Sequence, residues 1–94
     1  MKIEKHLGPT TLKLDGYPLW VIPNFVPDIM DMFGYEKNDN VYGLIHIIYR
    51  GYTFCIPITK EESLTINDIP KDDFQNMIIQ ELKSYINGKQ IQFE

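Results

Sequence analysis

A histidine and a cysteine nine residues apart, His46 and Cys55, are the side chains in this 94-residue sequence best suited to chemistry. A thiolate is a strong nucleophile, and an imidazole beside it can take its proton and hold the pair charged. If Val41 to Ile58 folds as a hairpin about Arg50-Gly51, the two stand directly opposite each other. Residues so paired hold their Cβ atoms about 4.5–5.5 Å apart, close enough for that proton transfer. The plainer reading is a half-buried thiol beside a surface imidazole, and the sequence favours it. No Gly-flanked elbow exposes the sulfur, and no carboxylate can be placed to orient the ring. Cys55 is the only cysteine, so neither an intrachain disulfide nor a Cys-based zinc cluster can form. The two histidines, His6 and His46, do not make a metal-site pattern, and no Gly-rich phosphate loop occurs, so no metal or cofactor is expected.

Binding chemistry is the other possibility. Tyr42, Tyr49, Arg50 and Tyr52 gather around the same hairpin, and tyrosine and arginine are favoured anchors at protein interfaces. Tyr49 and Tyr52 read rather as core edges with their hydroxyls in water, which leaves Tyr42 and Arg50 the better candidates. Trp20 falls on the mixed side of its own ribbon, so either a helix covers that side or Trp20 belongs to an exposed interaction patch. Coverage is the expectation, because large aromatics dominate cores. Met30, Met32 and Phe33 could form an adaptable apolar surface, but a short helix that is apolar all round is expected to be buried.

Four or five strands must position these residues. Asp15-Gly16 suits a type I′ turn and pairs Leu14 with Tyr17, Leu12 with Leu19 and Thr10 with Val21 on one face, and Lys13 with Pro18 and Thr11 with Trp20 on the other. A short helix follows from Pro27, with Asp28 at its positive end and Gly34 as its stop, and Glu36 to Asn40 reads as a polar, mobile loop. Folding at Arg50-Gly51 pairs Tyr49 with Tyr52, Ile47 with Phe54 and Ile45 with Ile56, an apolar face that must lie against the core. Ile48 with Thr53, His46 with Cys55 and Leu44 with Pro57 make the opposite face. Glu61 to Asp68 reads as a connection with a short strand at Leu64 to Ile66. Pro70 opens a long helix whose stripe is Phe74, Met77, Ile78, Leu82, Tyr85 and Ile86, ended by Asn87-Gly88, with Ile91 and Phe93 in a last strand. The architecture is α+β: one domain over residues 1–94, with a small antiparallel sheet of two hairpins, a short helix, and a long C-terminal helix packed on one face.

Composition narrows the function classes. Nine basic against thirteen acidic residues give a net charge of −4, and Arg50 is the only arginine. Neutralising phosphates drives nucleic-acid affinity, so DNA or RNA as main ligand is disfavoured. The first residues lack the apolar stretch of a secretion signal, and no run of about 18 apolar residues spans a membrane, so a soluble cytoplasmic protein is expected. Alanine is absent and lysine outnumbers arginine eight to one, a usage typical of AT-rich coding DNA in a low-GC bacterium, a phage or a plasmid.

Two segments resemble known families. Asp28-Ile29-Met30-Asp31-Met32-Phe33-Gly34-Tyr35 resembles the helix-then-LGY segment of the Bro-type phage antirepressor N-terminal domain, which implies a DNA-associated regulatory role. Val41 to Lys60, ending Phe54-Cys55-Ile56-Pro57-Ile58-Thr59-Lys60, is similar to the core strands of ToxN-like endoribonuclease toxins. That resemblance implies an SH3-like barrel and RNA cleavage by a hydroxyl and a lysine near the strand end, here Thr59 and Lys60.

The residues themselves favour a small, non-enzymatic protein-interaction module, an inhibitor or regulator that binds a protein partner or a second copy of itself. It would use a Tyr/Trp patch, or an open sheet edge at Tyr52 to Ile58 or Ile91 to Glu94. The alternative is a small endoribonuclease toxin of the ToxN-like type.

Overall fold

The computed structural model describes residues 12–93. Its four strands run β1 (Leu12–Leu14), β2 (Tyr17–Asn24), β3 (Gly43–Tyr49) and β4 (Tyr52–Ile58), and pair antiparallel in that order. Among the described residues three helices complete the fold: α1 (Pro27–Met32), α2 (Lys60–Thr65), extended by a 3-10 turn at Ile66–Asp68, and α3 (Lys71–Lys89). Both tight turns carry positive φ at both central residues, Asp15 and Gly16 in one, Arg50 and Gly51 in the other. That is the type I′ geometry whose twist matches the flanking strands.

The β3–β4 register is the expected one throughout, from Tyr49 opposite Tyr52 to Leu44 opposite Pro57. Leu14 with Tyr17, Lys13 with Pro18 and Leu12 with Leu19 also pair as anticipated, while the pairs through Thr10 and Thr11 lie outside the described residues. Joining the hairpins, β2 pairs with β3 so that Leu19 faces Tyr49 and Ile22 faces His46. Side chains alternate along each strand, so one face of the sheet carries Leu14, Leu19, Ile45, Ile47, Tyr49, Phe54 and Ile58. We call this the helix face. Phe74, Ile78 and Leu82 of α3 are fully buried against it and close the core. Each such burial contributes about 1.5–3 kcal/mol before conformational entropy is counted. Tyr49 is deeper than expected: it is 1% exposed, and its hydroxyl donates to the Leu14 carbonyl at 2.9 Å.

The opposite, outer face is partly covered by α1. Of the apolar residues on that helix only Met30 is buried; Ile29, Met32 and the following Phe33 are exposed. The expectation that α1 is buried all round therefore fails, because a six-residue helix lying on a sheet offers one side only. Gly34, at φ 87°, ends it, and the Tyr35 N–H returns to the Met30 carbonyl at 3.1 Å. Loop 36–40 carries its own hydrogen bonds. Asn38 Oδ1 accepts from the N–H groups of Asn40 and Val41, and the Lys37 ammonium donates to the Phe25 carbonyl at 2.7 Å.

Three further expectations are corrected. Leu64 to Ile66 is helical, not extended, because Thr59 and Glu62 form a capping box that starts α2. α3 runs past Asn87-Gly88 to Lys89 and stops where Gln90 adopts φ 53°. Ile91 and Phe93 form no strand: the Ile91 N–H closes the helix end on the Ile86 carbonyl at 3.1 Å, and Phe93 packs edge-on against Tyr49 and Tyr52. Among the described residues the sheet is open and four-stranded, not the barrel implied by the toxin resemblance. Also among them, no helix is long and apolar enough to cross a membrane.

Gly43 starts β3 where the chain has no room for a side chain, since a Cβ there would run into the Phe25 ring. Gly43→Ala is expected to destabilise the fold by about 1–3 kcal/mol. Urea unfolding checks this, with the midpoint falling and the slope unchanged.

Candidate functional site

The register brings His46 and Cys55 together as the sequence suggests, and adds a third partner that the sequence reading missed. Cys55 Sγ lies 3.3 Å from His46 Nδ1, and Asn24 Nδ2 lies 3.1 Å from His46 Nε2. Asn24 pairs with Leu44, two positions from His46 on the same face, so only the pairing between the two hairpins could have revealed it. A thiol, an imidazole and a carboxamide in line are the components of a cysteine nucleophile with its base and orienting group.

Their hydrogen bonding points the other way. Asn24 Oδ1 accepts the Val26 N–H at 3.0 Å, which turns the Asn24 amide nitrogen toward His46 as a donor. Nε2 must then be the acceptor, and a neutral imidazole carries its one proton on Nδ1. Nδ1–H points at the sulfur, so the nitrogen that would have to receive the thiol proton is already occupied. Forming an imidazolium would add a proton at Nε2 against the Asn24 NH₂. Burial acts in the same sense. It lowers the pKa of His46 and raises that of Cys55, with the Lys89 ammonium partly opposing the rise at the thiol. The Phe33 ring packs on the imidazole at 4.6 Å between centroids. The trio anchors the start of α1 to the middle of the sheet and keeps the thiol protonated.

Thr59 and Lys60 lie at the end of β4 and the start of α2. The Thr59 hydroxyl accepts the Glu62 N–H at 3.0 Å, and the Glu62 carboxylate accepts the Thr59 N–H at 2.8 Å. Its oxygen is engaged as a helix cap. Lys60 is exposed, its backbone N–H held by the Asp39 carbonyl, beside Glu61.

The aromatic candidates do not form one cluster. Tyr42 precedes β3 and packs under the Lys37 ammonium, 4.4 Å from its ring centre. Arg50 and Tyr52 sit at the other end of the strand, roughly 25 Å away at about 3.3 Å per residue. The Arg50 guanidinium lies over the rings of Tyr17 and Phe93, at 3.9 and 4.4 Å, and Tyr52 stacks with Phe54. These contacts hold the two turns and the end of the described chain together.

Trp20 reverses the expectation of coverage. It is on the outer face, opposite Ile48, while α3 packs on the helix face, and it is 56% exposed. Beside it Ile22 is 47% exposed, and Ile29 and Phe33 rise from α1 as a wall. Between them runs an open groove of about 400 Å³ over Ile48 and Thr53, floored by Asn24 and His46. Ionisable side chains other than His46 are absent from its lining. The recess is thus exposed and mainly apolar, with His46 its one ionisable group.

Neither open edge considered above invites an added strand. A two-residue turn makes Tyr49 and Tyr52 a hydrogen-bonded pair, so the backbone groups of Thr53, Cys55 and Pro57 point away from β3. Pro57 has no N–H to give, and the Cys55 carbonyl accepts the Tyr85 hydroxyl at 3.0 Å. The other candidate edge forms no strand over its described residues, Ile91 to Phe93.

Comparison with known proteins gives no match: no family model, curated protein or solved structure is similar to the chain.

Three outcomes follow from this geometry. Iodoacetamide should modify Cys55 slowly at neutral pH and faster as pH rises through the elevated thiol pKa. Asn24→Asp should speed the reaction at least about tenfold, because a carboxylate accepts from Nε2–H and releases Nδ1 as the base. Mass-spectrometric rates check both. Thr59→Ala should cost about 1 kcal/mol of stability in thermal unfolding through loss of the cap alone.

Proposed function

We propose that the chain is a non-enzymatic protein-interaction module, an inhibitor or regulator whose contact surface is the bare part of the outer sheet face. The observation that carries this is the exposure of Trp20 and Ile22 beside the apolar groove, on the one sheet face that α3 leaves open. Removing such a surface from water is the main driving force for association, and tryptophan is the residue most enriched among strong interface anchors. A rigid sheet presents it with little ordering cost. Inhibition or regulation fits this surface, since a sheet face laid on a partner occludes what it covers.

The chemical candidates support the reading from the other side. The His46 tautomer keeps Cys55 protonated, and the Thr59 hydroxyl is committed to a cap. RNA cleavage by Thr59 and Lys60 is accordingly the weaker alternative, and a net charge of −4 favours proteins over nucleic acids as partners.

The tagged chain, its Trp20→Thr variant and its Lys60→Ala variant are compared by pull-down from a low-GC bacterial lysate, with and without nuclease. The expected result is a stoichiometric protein that survives nuclease, is retained by Lys60→Ala and is lost with Trp20→Thr. Recovery of RNA alone, or capture that depends on Lys60 and not on Trp20, overturns the reading.

A further inference from the structure

We propose that the occupant of the outer face is a second copy of this chain, packed face to face about a two-fold axis with Trp20 of each copy seated in the groove of the other. This rests on the reading of that face as a contact surface and names what it contacts.

A two-fold interface must be self-complementary: the same patch has to contain both a projection and the hollow that receives it. The outer face has both, side by side. Trp20 projects from β2, and the adjoining groove is bounded by Ile22, Val26, Ile29, Phe33, Ile48 and Thr53. At about 400 Å³ and open to solvent, the hollow has room for an indole.

Area supports the same occupant. The exposed parts of Trp20, Ile22, Val26, Ile29 and Phe33 come to about 500 Å² of residue surface, backbone included, at the upper end of what a lone soluble domain shows in one patch. Two copies would thus cover about 1,000 Å² before their rims are counted, the size at which specific interfaces begin.

Salt dependence separates a like from an unlike partner. The five residues of the patch are uncharged, while each copy carries −4 overall. Two copies therefore repel weakly at long range and attract through the patch. Salt screens the repulsion and leaves the apolar contact in place, so self-association tightens as salt is added. A basic partner drawn by the acidic surface behaves in the opposite way. The arrangement also requires any other protein that uses this face to displace a copy first.

Sedimentation of the purified full chain from micromolar to near-millimolar concentration tests this. Trp20 is the only tryptophan, so its fluorescence reports its own burial. The expected result is a monomer–dimer equilibrium that tightens with salt, with Trp20 emission moving to shorter wavelength as dimer forms. Trp20→Thr and Ile22→Lys, both at exposed positions, should each weaken it about thirtyfold or more with unchanged circular dichroism. Leu64→Ser, on α2 away from the face, should leave it unaltered. A dimer indifferent to both outer-face variants, or one that salt dissociates, overturns the proposal. So does a chain that stays monomeric throughout. In that case Trp20-dependent capture of another protein leaves the contact-surface reading standing, and its absence removes both.

Discussion

Every face assignment in this molecule depends on the parity of the Arg50-Gly51 turn. Two residues at positive φ join β3 to β4 with no residue to spare, and a slip of β4 by one position would carry Phe54, Ile56 and Ile58 to the outside. Arg50 adopts a conformation that non-glycine residues avoid, and its stacking on Tyr17 and Phe93 offsets the strain. From that parity follow the face of β4 that receives α3, the alignment of Cys55 with His46, and the backbone groups that reach the open edge. The side chains that look chemical and the surface that looks adhesive are both consequences of one register.

A polar trio in an otherwise apolar setting usually raises the question of catalysis. Here the deciding atom is the Asn24 carbonyl oxygen, held by the Val26 N–H at the start of α1. The same amide that tethers the helix dictates which imidazole nitrogen bears a proton. Distance alone would have suggested an activated thiol; donor and acceptor directions remove it. Much the same is true at Thr59, where a hydroxyl beside a lysine is drawn into a helix start.

The parts of the fold that were legible in the sequence are those with a strong local period. The β3–β4 hairpin has a turn dipeptide and three apolar cross-strand pairs, and α3 has an unbroken stripe. The capping box at Thr59-Lys60-Glu61-Glu62 was equally local, yet Leu64 to Ile66 reads as a short strand, and the cap prevailed. Trp20 and Asn24 were not legible, because their surroundings come from β2–β3 pairing and from which face α3 chooses. One long helix can cover only one side of a sheet. Six-residue α1 covers part of the other, which leaves apolar residues in water that a pattern argument places inside.

Tyr85 reaches from the far half of α3 to the Cys55 carbonyl on the outermost strand. That bond makes the protection of a sheet edge conditional on a helix staying docked. When the end of α3 frays, together with the Phe93 contacts beyond it, β4 loses a cover that its own residues replace only at Pro57. A partly opened chain then presents a β-rich, Ile- and Phe-bearing strand with unpaired backbone, the starting point for strand-to-strand aggregation. Resistance to strand-to-strand pairing at β4 therefore depends on local helix stability as much as on surface charge.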